Sequence, residues 1–175
     1  TLNGGAGIDT VSYASATAAV TVSLATTAAQ TTGGAGTDTL SLFENLTGSS
    51  FNDTLTGDAN NNGLVGGVGN DTVTGGAGLD TFTVASGTDT ITDLGNGGAD
   101  VLSVSAGATA NATVTTAWTA TAATINNGTA NITTSGLGVN LNAVTTGNGF
   151  SVTNSGIATT LTGSGLNDTL TGGTG

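Results

Sequence analysis

Residues Gly66–Thr74 read GGVGNDTVT and Gly75–Thr83 read GGAGLDTFT, two adjacent nonapeptides in one frame. The same frame returns at Gly4–Ser12 (GGAGIDTVS) and Gly33–Ser41 (GGAGTDTLS), so four units fit G-G-x-G-x-D-x-U-x, with U a large apolar residue. Degraded copies surround them: Gly48–Thr56 (GSSFNDTLT), Gly57–Val65 (GDANNNGLV, with Asn62 in the Asp place), Val84–Thr92 (VASGTDTIT) and Gly163–Thr171 (GSGLNDTLT). The apolar place keeps time most faithfully, at Leu46, Leu55, Leu64, Val73, Phe82 and Ile91, and again at Val152, Leu161 and Leu170. After Ile91 the frame slips by two residues, to Asp100 and Leu102.

A period of nine is neither helical nor a plain strand alternation. It suits six turn residues followed by a three-residue strand in which U points inward and its two neighbours point outward. Two units close one coil of 18 residues, and stacked coils place short parallel strands in two sheets with a file of U side chains between them. The expected fold is therefore all-β, a parallel β-solenoid of the β-roll kind. About ten coils at ~4.8 Å give a rod of roughly 45–50 Å.

Three stretches follow from the pattern. Residues 1–104 form the repeat-bearing roll, in which 13–32 lack the motif but alternate through Ala18, Val20, Val22 and Leu24, as an enlarged coil or strand pair would. Residues 105–160 are rich in Thr, Ala and Asn and contain no acid, and are expected to form metal-poor solenoid coils, with an inserted β-sandwich as the competitor. The repeat returns over 161–175. Gly172–Gly175 supplies places one to four of a unit and Thr1–Asn3 supplies places seven to nine, which suggests a tandem array or an end-to-end filament.

Composition removes most chemistry. The 175 residues include eleven acids and no Lys, Arg, His, Cys, Met or Pro, for a formal charge of -11. Nucleophilic catalysis by Ser-His-Asp or Cys-His lacks its base, and no Cys or His can hold zinc or haem. Phosphate neutralisation needs Lys or Arg, which excludes nucleic acid as a partner. No apolar run approaches the ~20 residues of a membrane-spanning helix. A glycosidase pair needs two carboxyls in contrasting environments, whereas these are repeated equivalents, so no enzyme activity is expected.

Ten of the eleven acids are Asp, and Asp9, Asp38, Asp53, Asp71, Asp80, Asp89 and Asp168 all hold the sixth place of a unit. Asp100 joins them across the two-residue slip. In a roll, Asp53, Asp71 and Asp89 line one edge, and Asn62, Asp80 and Asp100 the other. Stacked carboxylates repel, and no side-chain cation exists to offset them. A hard divalent cation is the simplest remedy. Ca²⁺ takes 6–8 oxygens from carboxylates and carbonyls, and Mg²⁺ suits a backbone-rich cage less well because of its strict octahedral demand.

The four full units and the Asn-Asp-Thr-Leu-Thr runs beside them resemble the hemolysin-type (RTX) calcium-binding nonapeptide repeats. The resemblance covers Leu2 to Val104 apart from 13–32, and Gly163 onward. It implies several Ca²⁺ ions between successive turns of one edge, held by the sixth-place Asp and carbonyls of the Gly-rich turn. Carried over, the ligands are Asp9 with Gly4, Gly5 and Gly7; Asp38 with Gly33, Gly34 and Gly36; Asp71 with Gly66, Gly67 and Gly69; and Asp80 with Gly75, Gly76 and Gly78. Asp53 and Asp89 complete sites from neighbouring coils, while Asn62 and the Gly-poor unit at 48–56 depart from the pattern. The family also implies type I secretion and folding outside the cell.

The function expected is a calcium-stabilised structural segment of a secreted or cell-surface bacterial protein, as fibre, surface-layer or adhesin stalk, with calcium and copies of itself as partners. One alternative is the repeat module of a secreted enzyme or toxin whose active domain lies outside this chain. Another is an ice- or glycan-binding adhesin face built on the outward Thr-x-Thr pairs such as Thr54/Thr56 and Thr72/Thr74.

Overall fold

The computed structural model describes residues 1–174; Gly175, the last of the four terminal places read above, lies outside them. The described residues contain strands and turns but no helix. Thr and Val favour extended backbone and Gly permits the tight reversals between strands, so short strands alternate with turns along almost the whole chain.

Two parallel sheets carry the solenoid. The first face stacks eight strands in the order Thr21–Ser23, Thr54–Thr56, Thr72–Thr74, Thr88–Leu94, Thr109–Val114, Thr129–Thr134, Ser151–Asn154 and Thr169–Thr171. The second stacks six: Thr10–Ser12, Asn45–Thr47, Gly63–Val65, Thr81–Val84, Val101–Val104 and Ile125–Asn126. Register follows the repeat, with Val73 paired to Leu55 and Ile91, and Phe82 to Leu64 and Leu102. The U side chains fill the space between faces: Leu46, Leu55, Leu64, Val73, Phe82, Ile91 and Leu102 are each 2 % exposed or less. Eight strands at ~4.8 Å span about 34 Å, so the rod is shorter than the ten coils expected. The N-terminal coil and the coils between Phe82 and Val152 are larger than 18 residues, so fewer of them are made.

The coil changes where the repeat ends. A bulge interrupts the pairing of Ile91 and Leu94 with the next strand, and from Trp118 onward a third face appears, with strands Trp118–Thr119, Val139–Asn140 and Leu161–Thr162. Asn131 now stacks on Asn111 twenty residues away rather than eighteen. The widened interior holds Trp118, Leu141, Val144 and Phe150, all 1 % exposed or less. Strands Thr109–Val114, Thr129–Thr134 and Ser151–Asn154 of this stretch extend the first face in parallel register.

At the other end, residues 13–38 leave the regular coil. Thr21–Ser23 enters the first face, and Gln30–Gly33 pairs antiparallel with Gly36–Asp38 as a hairpin. Gln30 acts as an extra strand for the edge: its Oε1 accepts the Ser23 amide at 2.8 Å and its Nε2 donates to the Ser23 carbonyl at 2.9 Å. The turn of the unit at Gly33–Ser41 therefore departs from the sequence expectation, while its strand keeps to it: Leu40–Ser41 pairs parallel with Leu2–Asn3 and Leu40 is buried. The glycines of the unit form the hairpin reversal, with Gly33 and Gly36 at positive φ.

Candidate metal centre

The turns entering the first face stack on one edge of the roll, and those entering the second face on the other. On the first edge the Asp71 carboxylate Oδ1 accepts the Asp53 amide at 2.8 Å, and Asp89 Oδ1 accepts the Asp71 amide at 3.0 Å. Asp53 Oδ1 in turn accepts the amide of Val20 at 2.8 Å. On the second edge Asp80 Oδ1 accepts the Asn62 amide at 2.8 Å and Asp100 Oδ1 the Asp80 amide at 2.9 Å. Each of these five carboxylates thus holds the backbone of the preceding coil with one oxygen. The sequence pattern brings Asp53, Asp71 and Asp89 together on one edge, and Asn62, Asp80 and Asp100 on the other.

The second oxygen separates the turns into two kinds. Oδ2 of Asp9, Asp71, Asp80 and Asp89 is buried and has no hydrogen-bond partner. Asp71, Asp80 and Asp89 are themselves 1 % exposed or less. Three of these four belong to Gly-Gly-x-Gly turns, where the second glycine (Gly5, Gly67 or Gly76) has a φ of +94°, +113° or +99°, a conformation costly for any residue with a Cβ. The turns also lie close together: a Cβ on Gly67 would run into the Ser49 carbonyl oxygen, and one on Gly76 into that of Asp58. Successive turns thus pack backbone against backbone, and with the unpartnered carboxylate oxygens they offer oxygen donors alone, as a hard cation requires. Among the described residues no three acidic side chains converge, so such an ion would draw most of its ligands from backbone.

Electrostatics point the same way. Burial pushes the Asp80 and Asp89 carboxyls up to about 7 and Asp100 up to about 6, and raises Asp71 as well. Backbone hydrogen bonds oppose the rise, and neighbouring carboxylates add to it: Asp100, Asp93 and Asp58 act on Asp80, and Asp71 on Asp89. A cation would replace the missing partner and hold these groups ionised.

Several residues fall outside the stack. Asp38 lies in the hairpin, where it accepts a 3.2 Å hydrogen bond from the Tyr13 hydroxyl, and Gly33, Gly34 and Gly36 go with it. Asp168 stands alone near the last strand, holding the Phe150 amide at 2.8 Å. Between it and Asp89 the first-edge column is filled by Ala110, Ala130 and Phe150, all buried. Here apolar side chains occupy the interior of the turn where the repeat region has carboxylates.

Other contributors carried no signal in the Asp frame. Glu44 holds the sixth place of its own unit, and its Oε2 accepts the Asp9 amide at 2.8 Å; the intact spacing to Leu46 would have revealed it. Asp93 closes the second-edge turn below it, accepting the amides of Gly75 and Gly76 at 2.8 Å each. A fifth-place Asn ladder runs opposite to the Asp ladder: Asn52 Oδ1 accepts the Asn70 amide, Asn70 Oδ1 the Thr88 amide and Asn61 Oδ1 the Leu79 amide, at 2.8–2.9 Å. Repeated Asn before Asp in the units was its visible trace.

Parallel short-strand coils stacked on Gly/Asp turns define a β-roll. The family model of the RTX calcium-binding nonapeptide repeat (4 copies) matches residues 43–73 and 60–91. The units at Gly4–Ser12 and Gly163–Thr171 lie outside the matched residues. No curated protein and no solved structure matches the chain.

Proposed function

We propose that this chain is a calcium-clamped structural segment of a secreted or cell-surface protein, serving as extracellular fibre, surface-layer or adhesin-stalk material rather than as an enzyme. The observation that carries this reading is the set of buried, unpartnered carboxylate oxygens on Asp9, Asp71, Asp80 and Asp89, in a chain without one Lys, Arg or His. Ca²⁺ bound there would neutralise the stack and tie successive turns together. Asp9, Asp71, Asp80 and Asp89 supply the carboxylates, and Gly4, Gly5, Gly7, Gly66, Gly67, Gly69, Gly75, Gly76 and Gly78 the turns whose carbonyls complete the shell.

Release into a calcium-rich exterior, by the type I route common to such repeats, fits a fold that is completed only where the ion is abundant. Copies stacked end to end would meet at Thr169–Thr171, whose three residues are exposed, whereas Gln30 covers the opposite strand of that face.

Circular dichroism of chelated protein, titrated with calcium and separately with magnesium, tests the reading. The expected result is a gain of β-structure and thermal stability with calcium at concentrations where magnesium has little effect. A chain equally structured and stable in chelator overturns it.

A further inference from the structure

Asp53 and Asp168 hold the sixth place of their units, yet their outer oxygens are not free. Asp53 Oδ2 accepts the Ser49 amide at 2.5 Å, and the Ser49 hydroxyl donates to Asp53 Oδ1 at 2.7 Å. The unit at the far end repeats the arrangement: the Ser164 amide and hydroxyl both donate to Asp168 Oδ2, at 2.6 and 2.8 Å. In each unit the serine stands at the second place, where the full repeats have Gly5, Gly67 and Gly76 at positive φ. A residue with a Cβ avoids that conformation. Neither Ser49 nor Ser164 has a positive φ, and the second-place amide points at the carboxylate. The Gly57–Val65 unit behaves alike with a neutral acceptor, since the Asp58 amide donates to Asn62 Oδ1 at 2.7 Å.

We infer that Ser49 and Ser164 replace the cation at their own turns, so that Asp53 and Asp168 are metal-free clamps and a serine at place two closes its unit to an ion. An amide and a hydroxyl supply two donors to a carboxylate that would otherwise need a positive charge, and hydrogen bonds to ionised acceptors are the strong ones. This rests on the calcium reading above and narrows its ligand set. Ion-binding turns are confined to units without such a donor: those of Asp9, Asp71, Asp80 and Asp89, the last with Ala85 at place two. Asp100 belongs with the closed turns, because the Gly95 amide donates to its Oδ2 at 2.7 Å.

Native mass spectrometry of the full chain in calcium counts ions in the wild type, D71N, D53N and S49G. D71N is expected to lose at least one ion and D53N none. S49G, which opens the positive-φ conformation at place two and leaves Asp53 in place, is expected to gain one. D53N also removes the acceptor of the Val20 amide, so S49G is an independent arm that does not depend on how that variant folds. An ion lost from D53N, or none gained in S49G, overturns the serine assignment. An unchanged count in D71N overturns the calcium reading itself.

Discussion

Asp80 and Asp89 each hold a neighbouring coil with one carboxylate oxygen and leave the other buried without a partner. A polar atom buried in that way costs roughly 1–3 kcal/mol, and more when charged. Protonation relieves it in the absence of metal, which is why both carboxyls are pushed up from 3.8 to about 7, by burial first. A carboxyl that binds its proton more tightly in the fold than in the unfolded chain favours the fold at low pH. That contribution is whole below 3.8 and is lost progressively as pH rises toward about 7. Chelated protein should therefore melt at a higher temperature at about pH 5 than at about pH 8, with calcium restoring stability at the upper end. Thermal melts in chelator across this range check the sign. A melting temperature that rises with pH in chelator would show that water, not a proton, satisfies these oxygens.

At the scale of the turn, backbone conformation decides what the carboxylate meets. Gly67 combines a φ of +113° with a Ser49 carbonyl oxygen lying where its Cβ would go. G67A should destabilise the folded protein by at least about 1–2 kcal/mol, the ordinary cost of forcing a left-handed backbone on an L-residue. Gly165 is the control: it has neither a positive φ nor any atom within 4 Å of a built Cβ. G165A should stay within about ±0.5 kcal/mol of the wild type. Urea unfolding in calcium measures both, and equal effects from the two substitutions would mean that close stacking of the turns contributes little.

Across the whole molecule, two ways of filling a coil meet near Trp118. Below it, 18-residue coils keep carboxylates inside narrow turns; above it, wider coils with a third face fill the same column with Ala110, Ala130 and Phe150. The Trp118 indole donates to the Asp100 carbonyl at 3.0 Å, directly at the junction. Removal of calcium should therefore loosen the two halves unequally. In chelator, amides of Thr72–Thr74 and Thr81–Val84 should exchange roughly tenfold faster or more, while those of Thr129–Thr134 change little. Hydrogen exchange with and without calcium reads this directly, and uniform loosening along the rod would make the molecule a single cooperative unit. Trp118, the one tryptophan, reports on the boundary by fluorescence.

The nonapeptide period by itself determined the parallel solenoid, the inward file from Leu46 to Ile91 and the stacking of Asp53, Asp71 and Asp89. Each of these depends only on a spacing that strands and turns must repeat, so the sequence displays it. It also determined that the edges carry charge with no side-chain counterion. Only the tertiary structure decided that the turn of Gly33–Ser41, although it fits the pattern, joins a hairpin with Asp38 against Tyr13, because Gly36–Asp38 pairs back onto Gln30–Gly33. Only the structure, too, showed the third face beyond Trp118. The distinction between Asp71 and Asp53 was of the same kind. Both read as Asp at place six, but what meets the second oxygen depends on a φ angle at place two and on the coil packed beneath it, and neither is written in the spacing.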